Sequence, residues 1–166
     1  DEAGARDYRD EVMDADVVAA HAAGRRFMPV IFPGFAWANL FRGTDANLIP
    51  RRGGRFWWTQ FYEAHQAGAD SYFGAMFDEV DEGTAIMKVA ETHAMEPTTG
   101  AFLSLGADGE ALPSDWYLQL AGAATRVLRR VLGALRKMDR PVKRVMIAGG
   151  GKVGLRLARQ LRGAVQ

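Results

Sequence analysis

The sequence predicts an α/β fold built on parallel strands, and three observations point to it. Helix-spaced and strand-like segments alternate along the 166 residues, without internal repeats or low-complexity stretches. The strand-like runs are apolar at consecutive positions, as burial of both faces in a parallel sheet requires. The loops richest in chemistry each follow a strand. Residues 7–23 come first, with Tyr8, Val12, Ala15, Ala19 and Ala22 at helical spacing and Gly24 as a C-terminal stop. Phe27 to Phe32 then reads as a short buried strand, ended by Pro33-Gly34 and followed by a long loop over 35–54. A helix from about Arg55 to Ala67 leads through Gly68 to a second strand over 70–77. That strand runs into the acidic loop Asp78-Glu79-Val80-Asp81-Glu82-Gly83. Ala101 to Leu105 reads as a third strand. Ser114 then caps a long helix with the apolar stripe Leu120, Ala124, Val127, Val131 and Leu135, which Pro141 stops.

Such an order implies parallel strands joined by right-handed crossovers. Chemistry in these folds gathers at the C-terminal ends of the strands, so the loops over 33–54 and 78–84 are expected to face one cleft. Trp57, Trp58 and Phe61 sit at core spacing on the second helix.

Composition narrows the classes. Apolar residues make up 48% and charged residues 25%, values of a globular protein rather than a disordered one. A net charge of +1 supplies no general attraction to nucleic acid or to an anionic membrane. Cysteine is absent, which excludes disulfides and thiolate chemistry. No stretch approaches the roughly 18 apolar residues of a spanning helix. The sequence opens at Asp1 without an initiator Met, so it is expected to be a piece of something longer.

Asp78, Glu79, Asp81 and Glu82 place four carboxylates within five residues. Crowded in one partly buried loop they repel, and at least one is expected to have a raised pKa. Glycosidic bond cleavage uses two carboxyl groups in different protonation states, and Glu79 and Glu82, three apart, share one side of the backbone if the segment opens a helical turn. Two other readings stand beside this one. An acidic helix N-terminus is stabilised by the dipole without any chemistry. A Ca²⁺ or Mg²⁺ site also wants clustered carboxylates, though the regular alternation of ligands is missing. Trp37 and Asn39 in the first long loop offer an indole to stack on a sugar face and an amide to bind a hydroxyl. Loop packing and a local turn cap account for them equally well. No His grouping has metal-ligand spacing, and no metal site is expected.

Phe77-Asp78-Glu79-Val80-Asp81-Glu82-Gly83-Thr84-Ala85-Ile86 resembles the Phe-Asn-Glu-x-x-Glu-Gly-Thr-x-Ile segment of glycoside hydrolase family 99, the endo-α-mannosidases. It is closer still to bacterial proteins grouped with families 71 and 99. Phe32-Pro33-Gly34-Phe35-Ala36-Trp37-Ala38-Asn39-Leu40, Ile49-Pro50-Arg51-Arg52-Gly53-Gly54 and Leu112-Pro113-Ser114-Asp115-Trp116-Tyr117 carry the same likeness, over roughly residues 8–128. The resemblance implies a partial (β/α)₈ TIM-barrel segment, its three strands being the last three of the barrel. It also implies an α-linked oligosaccharide or polysaccharide substrate of mannan or glucan type, cleaved with retention and no cofactor. Glu79 matches the base acting on the substrate's own 2-hydroxyl, and Glu82 the general acid. Asp78 and Asp81 flank them as substrate-contacting candidates with Trp37 and Asn39. The family has Trp and His between its glutamates where this chain has Val80 and Asp81, which puts mannose specificity in doubt. A barrel needs roughly 200 residues at least. Little turnover is therefore expected of the chain by itself, and its sheet edges are expected to need further barrel strands or self-association.

The C-terminal stretch reads differently. A strand over 143–148 enters Gly149-x-Gly151-x-x-Gly154 and a helix, the start of a Rossmann-like β-loop-α unit whose glycines let the backbone approach a pyrophosphate. The second strand with its ribose-binding acid does not follow in the sequence, so NAD is expected only if the unit were completed. Residues from about 131 to 166 resemble the start of an internal NAD-binding domain of Trk-type potassium-uptake regulators. Two units are therefore expected, 1–130 hydrolase-like and 131–166 a truncated dinucleotide-binding piece, joined inside one helix between Arg126 and Leu135 in the manner of a chimera. Either an NAD-binding regulatory fragment or a joined chain without function of its own is the alternative to a hydrolase. The first resemblance suggests a secreted or periplasmic setting, the second a cytoplasmic one.

Overall fold

The computed structural model describes residues 1–136 and 144–147. Helix α1 (Glu2–Tyr8) is capped by the Asp1 carboxylate, which accepts from the Gly4 amide at 2.9 Å. A π-helical turn, Arg9–Met13, joins it to α2 (Asp14–Ala22). The helix therefore starts five residues earlier than its apolar spacing predicts, and a different face is buried. Met13 and Val17 enter the core while Tyr8 and Val12 stay exposed. A π turn takes in more residues than the 3.6 of an α turn, so it rotates the two halves out of phase and breaks a stripe read at constant period. Arg9 leaves from this turn to bind Glu63 at 2.5 Å, a carboxylate whose side chain is only 5% exposed.

Strand β1 (Val30–Ile31) runs parallel to β2 (Ser71–Gly74), with Val30 opposite Phe73 and Ile31 opposite Gly74. Between them α3 (Arg55–Gln66) buries Phe56, Trp57, Gln60, Phe61, Glu63 and Ala64. Trp58, expected in the core, sits at its border at 36% exposure. The Gln60 amide turns to the end of β1, donating to Phe32 O at 2.8 Å and accepting from Phe32 N at 3.4 Å. It satisfies a backbone pair that the sheet leaves open. Phe61 packs between Trp57, whose ring is parallel at 6.1 Å, and Tyr72 at 4.8 Å.

The expected third strand at 101–105 does not form. Those residues are irregular and pass into a 3₁₀ turn, Leu105–Asp108. Their polar groups are taken up elsewhere: Ala101 by the Asn39 side chain, Leu103 O and Ser104 O by Arg51, Ser104 N by the Glu96 carboxylate. Alternation of apolar residues cannot reveal such partners, which lie up to 62 residues away. The third strand of the sheet is instead β3 (Arg144–Ile147), parallel to β2 with Tyr72 opposite Val145, so the order is β1-β2-β3.

Helix α4 (Trp116–Arg136) closes the core from the other side. It buries Tyr117, Ala121, Ala124 and Leu128, while Val127 is 42% exposed. Of the predicted stripe's residues up to 130, Ala124 is fully buried, Leu120 packs partly buried against the core and Val127 lies off the buried face. Along the described helices nothing is long and apolar enough to cross a membrane.

Candidate active site

At the end of β2 the chain turns sharply. Asp78 to Gly83 form a turn, not the start of a helix, with Gly83 N donating to Val80 O at 3.2 Å and the Thr84 hydroxyl to Glu79 O at 3.3 Å. No helix follows directly, which removes the reading of this acidic run as a dipole-stabilised helix N-terminus. The turn needs its glycine. Gly83 has φ +67°, a left-handed conformation that strains any residue with a Cβ, although the space around it would admit one at ordinary contact distance.

The loop after β1 reaches the same place. It is folded on itself by an antiparallel bridge, Phe35 N to Ile49 O at 3.0 Å and Ile49 N to Phe35 O at 2.9 Å. From it, three donors meet three successive carbonyls of the acidic turn. Asn39 Nδ2 donates to Asp81 O at 2.9 Å, Ala36 N to Glu82 O at 2.8 Å, and Arg51 Nε to Gly83 O at 3.1 Å. The two loops at the strand ends are therefore in direct contact.

Within the turn, Asp78 and Asp81 point to solvent and Glu79 and Glu82 are partly covered. The Glu79 carboxyl is held above its ordinary range, first by loss of solvent, then by repulsion from Glu82 and Asp81, with a side-chain hydrogen bond to Glu82 and the charge of Asp78 adding to it. The two glutamates thus sit together on an irregular segment outside the carboxyl end of a parallel strand.

The other expected residues divide. Trp37 is half-buried, its ring packed edge-on to Phe35 at 5.1 Å and against Phe41 at 4.8 Å, so only part of the indole is open. Asn39 is committed to the chain itself: besides Asp81 O it donates to Ala101 O at 3.0 Å and accepts from Ala101 N at 2.8 Å. That leaves one lone pair of Oδ1 for any ligand. Gly149, Gly151 and Gly154 lie outside the described residues. Two surface depressions, of about 520 Å³ beside Glu91, His93 and Glu110 and about 340 Å³ beside Tyr8, Val30 and Phe56, are both away from the glutamate pair. Among the described residues no three His, Asp or Glu side chains come together to hold a metal ion.

Arg51 is the residue that sequence reading passed over. It is 5% exposed, and its Nη1 and Nη2 donate to Ser104 O and Leu103 O, both at 3.3 Å. Burial pulls its pKa below the ordinary value, opposed by the fields of Tyr117, Asp108 and Glu96. Nothing in the run Arg51-Arg52 distinguishes the buried guanidinium from its half-exposed neighbour, which pairs with Glu2.

Fold and site together define an α/β segment on a parallel sheet, with a carboxylate pair on the turn at a strand's C-terminal end. The chain is similar in structure to the family 99 endo-α-mannosidase of Bacteroides thetaiotaomicron. One structure of that protein, in complex with bis-tris-propane, matches with TM-score 0.57 at 21% identity over 71% of this chain and 35% of that one. A second structure matches with TM-score 0.57 at 22% identity over 71% of this chain and 33% of that one. This chain therefore spans about a third of the length of the structures it matches. No family model and no curated protein matches it.

Proposed function

We propose that the acidic turn is the acid–base centre of a retaining glycoside hydrolase acting on α-linked glycans of mannan or glucan type. The observation that carries this reading is the pair of partly covered glutamates on the turn at the end of β2, where loss of solvent first and then repulsion from Glu82 hold the Glu79 carboxyl above its ordinary range. In this reading Glu79 is the base. A carboxylate of raised pKa holds a proton more firmly, so it is better matched to drawing one from a sugar 2-hydroxyl near neutral pH. The 2-oxygen then displaces the leaving group at the anomeric carbon, while Glu82 gives its proton to the departing glycosidic oxygen. Water, deprotonated by Glu82, then attacks the anomeric carbon and opens the strained ring, while Glu79 gives its proton back to the 2-oxygen, so both carboxyl groups are reset and configuration is retained after two displacements. Asp78 and Asp81, exposed on either side, are available to sugar hydroxyls, and Trp37 offers the open part of its ring.

A longer chain in which this segment completes a barrel tests the reading on α-mannosides and α-glucans. Glu82→Gln is expected to lower turnover at least about 100-fold, the range for a positioned general acid. Glu79→Gln is expected to do the same for substrates with good and poor leaving groups alike. Full activity in Glu82→Gln would sink the assignment.

A further inference from the structure

We propose that Asn39 and Arg51 are positioning residues that keep Glu79 and Glu82 in contact by gripping the backbone of the turn that carries them. The inference rests on the acid–base reading for its purpose, but its geometry stands without it. A six-residue turn with four carboxylates has every electrostatic reason to splay. Its own cross-bonds are few: Val80 N to Asp78 O at 3.0 Å, Gly83 N to Val80 O at 3.2 Å and the Thr84 hydroxyl to Glu79 O at 3.3 Å. What opposes splaying comes from outside the turn, along the loop after β1.

Two side chains share this work with the Ala36 amide, which donates to Glu82 O at 2.8 Å. Arg51 binds Gly83 O with Nε and reaches past it to Leu103 O and Ser104 O, so one buried cation ties the turn to the segment behind it. Asn39 does the same further along, tying Asp81 O to Ala101 through bonds of 2.8–3.0 Å. Both grip the same two segments, 81–83 and 101–104, at opposite ends. A guanidinium and a primary amide suit the task, since each offers several donors in a fixed plane. Arg51 spends its bonds on three neutral carbonyls, so its charge is set among backbone dipoles rather than neutralised by a carboxylate bond. The charged groups that raise the Glu79 carboxyl, after loss of solvent, are acidic: Glu82, Asp81 and Asp78.

The test reads the Glu79–Glu82 coupling directly and does not depend on turnover. The titration of Glu79 is followed by carboxyl-detected NMR on the ¹³C-glutamate-labelled full chain, with and without Glu82→Gln, in Asn39→Ala, Arg51→Ala and Arg51→Lys backgrounds. In the wild type, Glu82→Gln is expected to lower the Glu79 midpoint. In Arg51→Ala and Asn39→Ala the midpoint is expected to be lower already, and Glu82→Gln to shift it less, the non-additivity that marks a lost contact. Direction separates positioning from charge. Deleting a nearby cation alone would raise a carboxyl pKa, whereas releasing the turn lowers it. Arg51→Lys keeps the charge and one donor, so it is expected to restore part of the coupling, and it serves as the reading if Arg51→Ala fails to fold. An undiminished Glu82→Gln shift in folded Asn39→Ala and Arg51→Lys overturns the proposal. Intact coupling in the wild type, lost in the variants, combined with no glycan cleavage by the completed barrel, would refute the hydrolase reading and leave the clamp standing.

Discussion

Gly34 is the place where a single methyl group should disturb the whole site, and the structure sets the size of the effect. Its φ lies outside the left-handed region, so alanine costs nothing in backbone conformation. The cost is steric. A Cβ on Gly34 would stand 2.6 Å from Ile49 O and 2.6 Å from Arg51 Cγ. Even weak C–H···O contacts need about 3.3 Å, so one side must retreat by roughly 0.7 Å. Ile49 O cannot retreat freely, because it accepts from Phe35 N in the bridge that folds the loop. Arg51 cannot either without releasing its three carbonyls. Losing the two bridge bonds costs about 1 kcal/mol each, and overpacking falls in the same range of about 1–3 kcal/mol. Gly34→Ala is thus expected to destabilise by about 2 kcal/mol, lowering Tm by roughly 4–8 °C in a chain of this size. The assay is a thermal melt followed by circular dichroism, with Gly24→Ala beside it. Gly24 has φ +66° and nothing within 4 Å of its Cβ, so it reports conformational cost alone, about 1 kcal/mol. A Gly34→Ala protein that melts with the wild type would refute the steric reasoning and, with it, the view that this loop is rigidly seated.

Two further outcomes follow from charge. The Glu79 pKa is raised by folding, so its contribution to stability is fully present below the ordinary carboxylate range and is lost as pH rises through the folded value. Glu79→Gln should therefore melt above the wild type at neutral pH, by no more than about 1 kcal/mol for so accessible a group, and the two should converge in acid. A constant difference across pH would refute the repulsion. Arg9→Ala strands the Glu63 carboxylate, 5% exposed, without its cation, and is expected to cost about 2 kcal/mol. The loss should be smaller when Glu63→Gln accompanies it, and equal losses in a melt of both variants would show that the pair is not coupled.

Much of the layout was legible because it depends on local pattern. The consecutive apolar runs at 27–32 and 70–77 contain β1 and β2, and the 3.6-residue spacing after Arg55 is α3. The clustering of Asp78, Glu79, Asp81 and Glu82 announced a perturbed carboxyl through the repulsion that chain proximity brings, while the loss of solvent that leads the shift comes from the fold. Burial phase was less legible. The π turn at Arg9–Met13 shifted one helix face, and on α4 the core chose the face bearing Tyr117 over the one bearing Val127.

The sequence by itself determined the α/β order, the parallel pairing of its first two strands and the acidic run with its crowded charge, because each follows from periodicity, dihedral preference or neighbours along the chain. Only the tertiary structure decided that 101–105 is not a strand, that Arg144–Ile147 takes the third place in the sheet, and that Asn39 and Arg51 hold the acidic turn. The reason is physical. A backbone carbonyl has no preference in sequence for the donor that satisfies it. Which one arrives is settled when parallel pairing brings the ends of β1 and β2 side by side and sets loops more than thirty residues apart against each other.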